Sequence, residues 1–291
     1  MRVVAIGATG AAGAELVPLL LERGHELTVM APGARLDRLA PDVRKVRASL
    51  IDGDVRPRLT RALAGADAVV NLATAVPRDL AAPGGWETNT RLRREGTLRV
   101  AQAARSAAVR LVQMSITMAY PDGGDGWLDE STPLDPSPAR EQLVEPVVAL
   151  EAAIRALPVG EVPWTILRAA RFVGPGTIQD IERRRLREGV LRVPGDGRSF
   201  LSMVHVGDFA SAVVAALERG SAGVVLNVSD APIRRGDYLT RLAAAEDAPA
   251  PTRAAGVDPD LPSQRVDSTA ARRVLGWRPC RALCARIEYQ S

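Results

Sequence analysis

The sequence predicts an α/β fold: a doubly wound parallel sheet with a smaller, discontinuous C-terminal region beside it. Three observations carry the prediction. Short apolar runs alternate with stretches of helical periodicity from Val3 to Leu167. Gly7, Gly10 and Gly13 stand in the spacing G-x-x-G-x-x-G between the first apolar run and the first helical stretch. The alternation then breaks at Gly174, where GPGT, a charged helical stretch and VPGDGRSF bring in turn-rich sequence.

In chain order, Val3–Ile6 reads as a strand buried on both faces. Leu16, Val17, Leu20 and Leu21 recur at helical intervals after the glycines. Strand, glycine turn and helix together form the context of a dinucleotide-binding loop. Gly7 permits the tight turn, Gly10 lets backbone approach a pyrophosphate, and Gly13 lets the helix pack closely on the sheet. The helix start offers unpaired N–H groups and a positive dipole end to phosphates. Pro18 stands inside this helix, where a local bend is expected. Further strands are predicted at Glu26–Met30, Val43–Ala48, Ala68–Leu72, Val109–Met114 and Trp164–Leu167, with helices at Pro57–Leu63, Glu87–Arg105 and Glu141–Leu157. Beyond Gly174, Val204–Leu217 has a helical pattern and Val224–Val228 reads as a strand. Helical patterns return at Arg235–Ala245 and Ser268–Leu275, around a Pro- and Ala-rich connection, Ala248–Pro262. This divides the chain into a dinucleotide-binding part, 1–173 with 203–229 returning to its sheet, and a substrate-binding part, 174–202 and 230–291. In such sheets the ligand lies at the C-terminal strand ends.

Composition narrows the function. The chain has 291 residues, 46% hydrophobic and 3% aromatic, so its core is built mainly of Ala, Val and Leu. The net charge is +4, carried almost wholly by arginine; Lys45 is the only lysine. The basic residues are spread along the chain, and the cluster Arg183, Arg184, Arg185, Arg187 reads as a solvated helix face, so no nucleic-acid partner is expected. Cys280 and Cys284 make no disulfide framework, and His25 and His205 make no metal-ligand cluster. A chain that opens on a strand and has no membrane-length apolar run is expected to be cytoplasmic.

Seven motifs, in order and across nearly the whole chain, resemble the extended and atypical short-chain dehydrogenases/reductases of the NAD-dependent epimerase/dehydratase group. They are GATGAAG; VVNLAT (Val69–Thr74); Asn89 in NTRLRREGT; LDESTPLDP (Leu128–Pro136); TILRAARFVGPG (Thr165–Gly176); MVHVGDFASAVVAALE; and LGWRP (Leu275–Pro279). The resemblance implies that Gly7, Thr9, Gly10, Ala11, Ala12 and Gly13 cradle the nucleotide, and that Leu72, Ala73 and Thr74 lie along it. It places Ala170 beside the nicotinamide. Asn89 and His205 are expected to be structural. Many such proteins dimerise through the helices near 87–105 and 141–157, so a monomer or homodimer is expected.

The second strand ends Val29, Met30, Ala31, without the carboxylate that binds the ribose diol of NAD, and Arg35 follows within reach of a 2′-phosphate. NADP(H) is therefore expected over NAD(H). Asp52 or Ser49 takes the place of an aspartate against the adenine.

In these enzymes a tyrosine, activated by a lysine four residues on, handles the proton, and a serine or threonine polarises the carbonyl. None of Tyr120, Tyr238 or Tyr289 is followed four residues later by lysine. On the helix where the pair belongs, the positions hold Leu143 and Val147, or Ala139 and Leu143. The usual serine position holds Ile116. Ser115, Thr117 and Tyr120 are the remaining candidates for catalysis, and no metal is expected. The reading that follows is an NADPH-dependent ketoreductase acting on an aromatic polyketide-like hydroxy-ketone, whose internal hydrogen bond already polarises the carbonyl. A non-catalytic NADP(H) sensor, a non-redox cyclase or isomerase and, below these, a sugar-nucleotide epimerase are the alternatives.

Overall fold

The structure is a computed structural model that describes residues 1–77, 84–220, 222–253 and 262–285. β1 (Arg2–Ile6) runs into α1 (Ala11–Glu22), then β2 (Glu26–Ala31), β3 (Arg44–Arg47), α2 (Val55–Leu63) and β4 (Ala68–Asn71). One long helical stretch follows: α3 (Glu87–Arg91), a π-helical turn (Leu92–Gly96) and α4 (Thr97–Ala107). Next come β5 (Arg110–Ile116), the short β6 (Trp127–Leu128), α5 (Glu141–Arg155) and β7 (Trp164–Ala169). The remainder is β8 (Arg171–Val173), α6 (Ile178–Arg187), β9 (Phe200–Leu201), β10 (Met203–His205), α7 (Val206–Glu218), β11 (Val224–Val228), β12 (Ile233–Arg234), α8 (Arg235–Ala245), β13 (Arg265–Val266) and α9 (Thr269–Leu275).

Seven strands form one sheet in the order β11-β7-β5-β4-β1-β2-β3, and every neighbouring pair is parallel. Their continuous apolar runs follow from this: helices cover both faces, so β4 and β7 are buried at every residue. On one face α1, α7 and α9 pack over Val3, Ala5, Leu167 and Leu226. On the other, α2, α4 and α5 pack over Val4, Ile6, Leu111 and Ile166. The chain leaves β1 toward β2 and returns at β4 on the opposite side. Strand order therefore reverses between β1 and β4, the point beyond whose C-terminal strand ends doubly wound sheets form their ligand crevice.

The predicted elements are present, with four differences. Pro18 does not interrupt α1, because it lies on the solvent face, where water can satisfy the carbonyl it leaves unpaired. The helix predicted from Glu87 to Arg105 reaches Ala107 and carries the π turn. The helical pattern from Val204 begins as β10, paired with β8. His205 then caps α7, its Nδ1 accepting from the Gly207 N–H at 3.1 Å. Val43–Ala48 shortens to Arg44–Arg47.

Beyond Gly174 a separate apolar cluster forms around Val173, Leu186, Met203, Tyr238 and Leu242. α7 and β11 rejoin the main sheet, through contact with α1 and pairing with β7. Most of the Ala248–Pro262 connection, and Tyr289, lie outside the described residues. No helix among the described residues is long and apolar enough to cross a membrane.

Candidate active site

The glycine loop shows three different uses of a missing side chain. Gly7 has φ +76°, and a Cβ there would stand 2.6 Å from the Ala73 Cα, so the β1 turn and the segment after β4 touch backbone to backbone. A Cβ on Gly13 would stand 2.2 Å from the Ala8 carbonyl oxygen. Gly10 differs: a Cβ there would meet only the Gly7 carbonyl oxygen, at 3.8 Å, and would point into open space. No side chain caps the start of α1, which leaves its first N–H groups free toward that space. A glycine with room above it and a bare helix start below suits the pyrophosphate of a dinucleotide, whose chemistry needs donors and close approach. Thr9, Ala11 and Ala12 complete this turn; Ala12 is buried under the helix.

On one side of the loop, β2 ends in the buried Met30 and Ala31, and Arg35 stands exposed on a 3₁₀ turn. Its guanidinium has no hydrogen bond or ion pair among the described residues. Asp52 and Ser49 form one turn together: the Asp52 carboxylate accepts from the Ser49 N–H at 2.8 Å, and the Ser49 carbonyl accepts from the Asp52 N–H. On the other side, Leu72 is buried and Ala73 half-buried, with the Ala73 N–H donating to Asn71 Oδ1, while Thr74 is exposed. Asn89 is structural: its Oδ1 accepts from the Ala75 N–H at 3.0 Å. Ala170 is buried, its N–H donating to the Val228 carbonyl.

The three hydroxyls singled out for catalysis are held inside the protein. Ser115 donates to Glu151 Oε1 at 2.8 Å. Tyr120 is 0% exposed. Its hydroxyl meets Arg168 at 2.7 Å, Asn227 Oδ1 at 3.0 Å and the Asp129 carbonyl at 2.8 Å. That corrects its expected role: Tyr120 is a core residue, and burial raises its pKa against the pull of Arg168. Thr117 makes no side-chain hydrogen bond among the described residues, but it is 1% exposed.

Beneath this lies a network that sequence reasoning missed. Arg168 on β7 grips both carboxylate oxygens of Glu151 on α5, at 2.8 and 2.7 Å, and all four atoms of the fork are buried. Burial alone would raise the Glu151 pKa; the Arg168 fork and the Ser115 hydroxyl overcome it and hold the carboxyl below its usual range. The signal was present: Val144, Val147, Glu151 and Ile154 share one helical face, and Arg168 puts a charge into a strand that is apolar but for Thr165. Arg93, in the π turn, was also missed. It is 6% exposed and lines a small cavity at the ends of β4 and β5 with Ala73, Thr74, Ser115, Ile116 and Val147. No group of metal-ligating residues occurs among the described residues.

Comparison with known proteins agrees with this architecture. Residues 3–229 match the model of the NAD dependent epimerase/dehydratase family. A Streptomyces protein described as a 3-diazoavenalumate denitrifying reductase is 33% identical, over 96% of each chain. A dTDP-6-deoxy-L-talose 4-dehydrogenase (NAD(P)(+)) of Kitasatospora kifunensis is 28% identical, over 97% of this chain and 92% of that one. Among solved structures, a UDP-glucose 4-epimerase of Thermotoga maritima, solved with UDP-glucose, superimposes with TM-score 0.80 at 20% identity, covering 98% of this chain and 96% of that one. DesIV, a dTDP-glucose 4,6-dehydratase of Streptomyces venezuelae solved with NAD and TYD, gives 0.80 at 23% identity, over 97% and 93%. With its glycine cradle, strand order and full-length likeness to these enzymes, the chain belongs to the NAD-dependent epimerase/dehydratase family.

Proposed function

We propose that this nicotinamide-dependent oxidoreductase is an NADPH-dependent reductase of an aromatic substrate in specialised metabolism, acting without a tyrosine–lysine acid. One observation carries the reading: where the crevice meets the end of β5, Ser115 is committed to Glu151, and Thr117 and Tyr120 are buried. The bound nucleotide supplies hydride. The residues of the chain hold the nucleotide at the glycine loop, with Arg35 meeting the 2′-phosphate and Leu72, Ala73, Thr74 and Ala170 walling its nicotinamide half. The region beyond Gly174 forms the substrate side. The apolar Ile116, Leu143 and Val147 suit a flat ring better than a sugar.

The acceptor then brings its own proton or needs none. A hydroxyaryl ketone satisfies the first condition. Hydride forms the C–H bond, the neighbouring phenol gives its proton to the carbonyl oxygen, and solvent reprotonates the phenolate. A second acceptor is favoured by the 33% identical relative, whose name describes a reductase that denitrifies a diazo compound. With a diazoarene, hydride forms a C–H bond as the C–N bond breaks, and dinitrogen leaves with that electron pair. No proton is required, which matches a crevice without a free acid.

Incubation with NADPH and each compound class, read by nucleotide absorbance and product mass, tests the reading. A gain of two hydrogens identifies the ketone; replacement of dinitrogen by hydrogen identifies the diazoarene. NADPH binding without turnover of either class refutes the reading in favour of a sensor. A product of unchanged mass refutes it in favour of a cyclase or isomerase.

A further inference from the structure

Arg93 is a buried cation without a counter-charge. It is 94% buried by its 6% exposure, and its guanidinium makes no hydrogen bond or ion pair among the described residues. Burial lowers its pKa to about 10, so the group is charged at neutral pH. The contrast with Arg168, linked to Ser115 through Glu151, is direct: that guanidinium is forked onto Glu151. A desolvated charge left unpaired is costly, and proteins retain such groups where a ligand completes them.

The surroundings say what completes it. The cavity it lines has a volume of about 10 Å³, which is space for about one oxygen-sized atom. The remaining walls are the apolar Ala73, Met114, Ile116, Val147 and Leu150 with Thr74 and Ser115, and there is no carboxylate among them. Thr74 is exposed and Ile116 half-buried, so the cavity opens into the crevice at the ends of β4 and β5. Arg93 reaches it from the π turn Leu92–Gly96, a local widening of the helix that recurs at functional sites. The turn packs tightly: Gly96 lies so close to Leu50 that an added Cβ would stand 3.0 Å from the Leu50 Cβ.

We infer that Arg93 binds a single anionic oxygen of the substrate, a phenolate or a carbonyl oxygen gaining negative charge, next to the carbon that is reduced. The identity of that oxygen as the substrate's rests on the proposed reductase function; the anion site itself does not. Both acceptor classes proposed above can carry such an oxygen on the ring. Thr74 adds a polar contact, Ser115 keeps its proton on Glu151, and the apolar walls admit no second charged group. The guanidinium thereby takes over the charge stabilisation that an acid would otherwise provide.

The probe is 4-nitrophenol, whose ionised form absorbs in the visible, titrated against the NADP⁺-loaded protein. The wild type is expected to bind the phenolate and to lower the ionisation midpoint of the bound probe by about one unit or more, a preference of at least about tenfold for the anion. Arg93→Met loses that preference, Arg93→Lys keeps part of it, and 4-nitroanisole binds both proteins alike. Arg93→Met also melts no lower than wild type, because it removes an unpaired buried charge, and its NADP⁺ affinity is unchanged. The inference is overturned if the wild type binds no 4-nitrophenolate. It is equally overturned if Arg93→Met keeps the shift, or if Arg93→Met loses NADP⁺ affinity about tenfold with the shift intact, which would assign the guanidinium to the nucleotide. A wild type that binds the phenolate through Arg93 but reduces neither compound class sinks the reductase reading and leaves the anion site standing.

Discussion

Replacing Gly10 with alanine separates the fold from its use. At Gly10 the backbone has φ −88° and ψ −176°, an extended conformation open to any residue. The new methyl would have one neighbour, the Gly7 carbonyl oxygen at 3.8 Å, which is ordinary contact. The folded state therefore takes the change without strain. Lower entropy of the unfolded chain favours alanine by about 0.4–1 kcal/mol, and the weaker N-cap preference of alanine offsets a similar amount. Stability should stay within about 1 kcal/mol of wild type. Binding should not. The methyl fills the space left for a pyrophosphate and holds it off the free N–H groups at the start of α1. A hydrogen bond to a charged group contributes about 1.5–3 kcal/mol, so losing one such bond weakens binding by about 10- to 150-fold. Thermal melting of Gly10→Ala, followed by calorimetric titration with NADP⁺, reads both quantities. A variant that melts normally and binds NADP⁺ as wild type does would show that nothing approaches the loop there, and the nucleotide site would have to be sought elsewhere.

Three further outcomes follow from the same geometry. Gly13→Ala should fail to give folded protein, since its Cβ would fall 2.2 Å from the Ala8 carbonyl oxygen and the clash is with backbone; soluble yield and circular dichroism check this. Arg35→Ala should lower affinity for NADP⁺ by about fivefold, the upper end for an exposed ionic contact of about 1 kcal/mol, and leave NAD⁺ affinity unchanged in parallel titrations. Glu151→Gln should destabilise the protein by about 3–5 kcal/mol at neutral pH, because it strands the buried Arg168 charge, as urea unfolding will report. The Glu151 pKa is depressed in the folded state, so its contribution is complete above the ordinary carboxylate range and is lost as pH falls through the folded value. The gap between wild type and Glu151→Gln should therefore stay constant near neutrality and close only in acid below about pH 4; a gap that closes toward alkaline pH would contradict the assigned charge state.

The sheet was legible because both its faces are covered. Val3–Ile6 is an uninterrupted apolar run, and Ala68–Leu72 and Trp164–Leu167 are broken only by Asn71 and Thr165; such runs have few other uses in a chain of this length. The glycine loop was legible because its spacing between a strand and a helix is a local pattern, although the close approach that Gly7 permits is to Ala73, far away in sequence. The π turn was not, since Leu92–Gly96 has the composition of an ordinary helix and its close contact is with Leu50, far away in sequence. Tyr120 was read as a candidate because it follows the β5 motif closely, but its position depends on Asp129 and Asn227, residues brought together only by the fold. Glu151 and Arg168 went unread although each breaks an apolar pattern. A charge on a buried face means little until its partner on another element is known.

Ser115 divides two arginines with opposite fates. Below it, Arg168 is neutralised by Glu151 and tied through Tyr120 to Asn227 of β11, while Glu130 accepts from the Asn227 N–H at 2.7 Å. These bonds join β5, β7, β11 and α5 into one floor with its donors and acceptors engaged. A satisfied buried network is rigid, and a rigid floor can hold an adjacent group in a fixed place. Above it, Arg93 has no such partner among the described residues. Had both guanidiniums been structural, Glu151 or a second carboxylate would be expected to face each. Instead Glu151 gives both oxygens to Arg168, Oε1 also to Ser115 and Oε2 also to Arg155, so its acceptor sites are taken up away from Arg93. The chain thus has no Tyr-x-x-x-Lys pair in its sequence, yet keeps a positive charge at the end of β5, carried by a group that stays protonated at working pH. On the proposed reading, a site organised in this way favours reactions in which negative charge gathers on an oxygen over those that must extract a proton from the substrate, and the 4-nitrophenolate titration decides whether Arg93 supplies that charge.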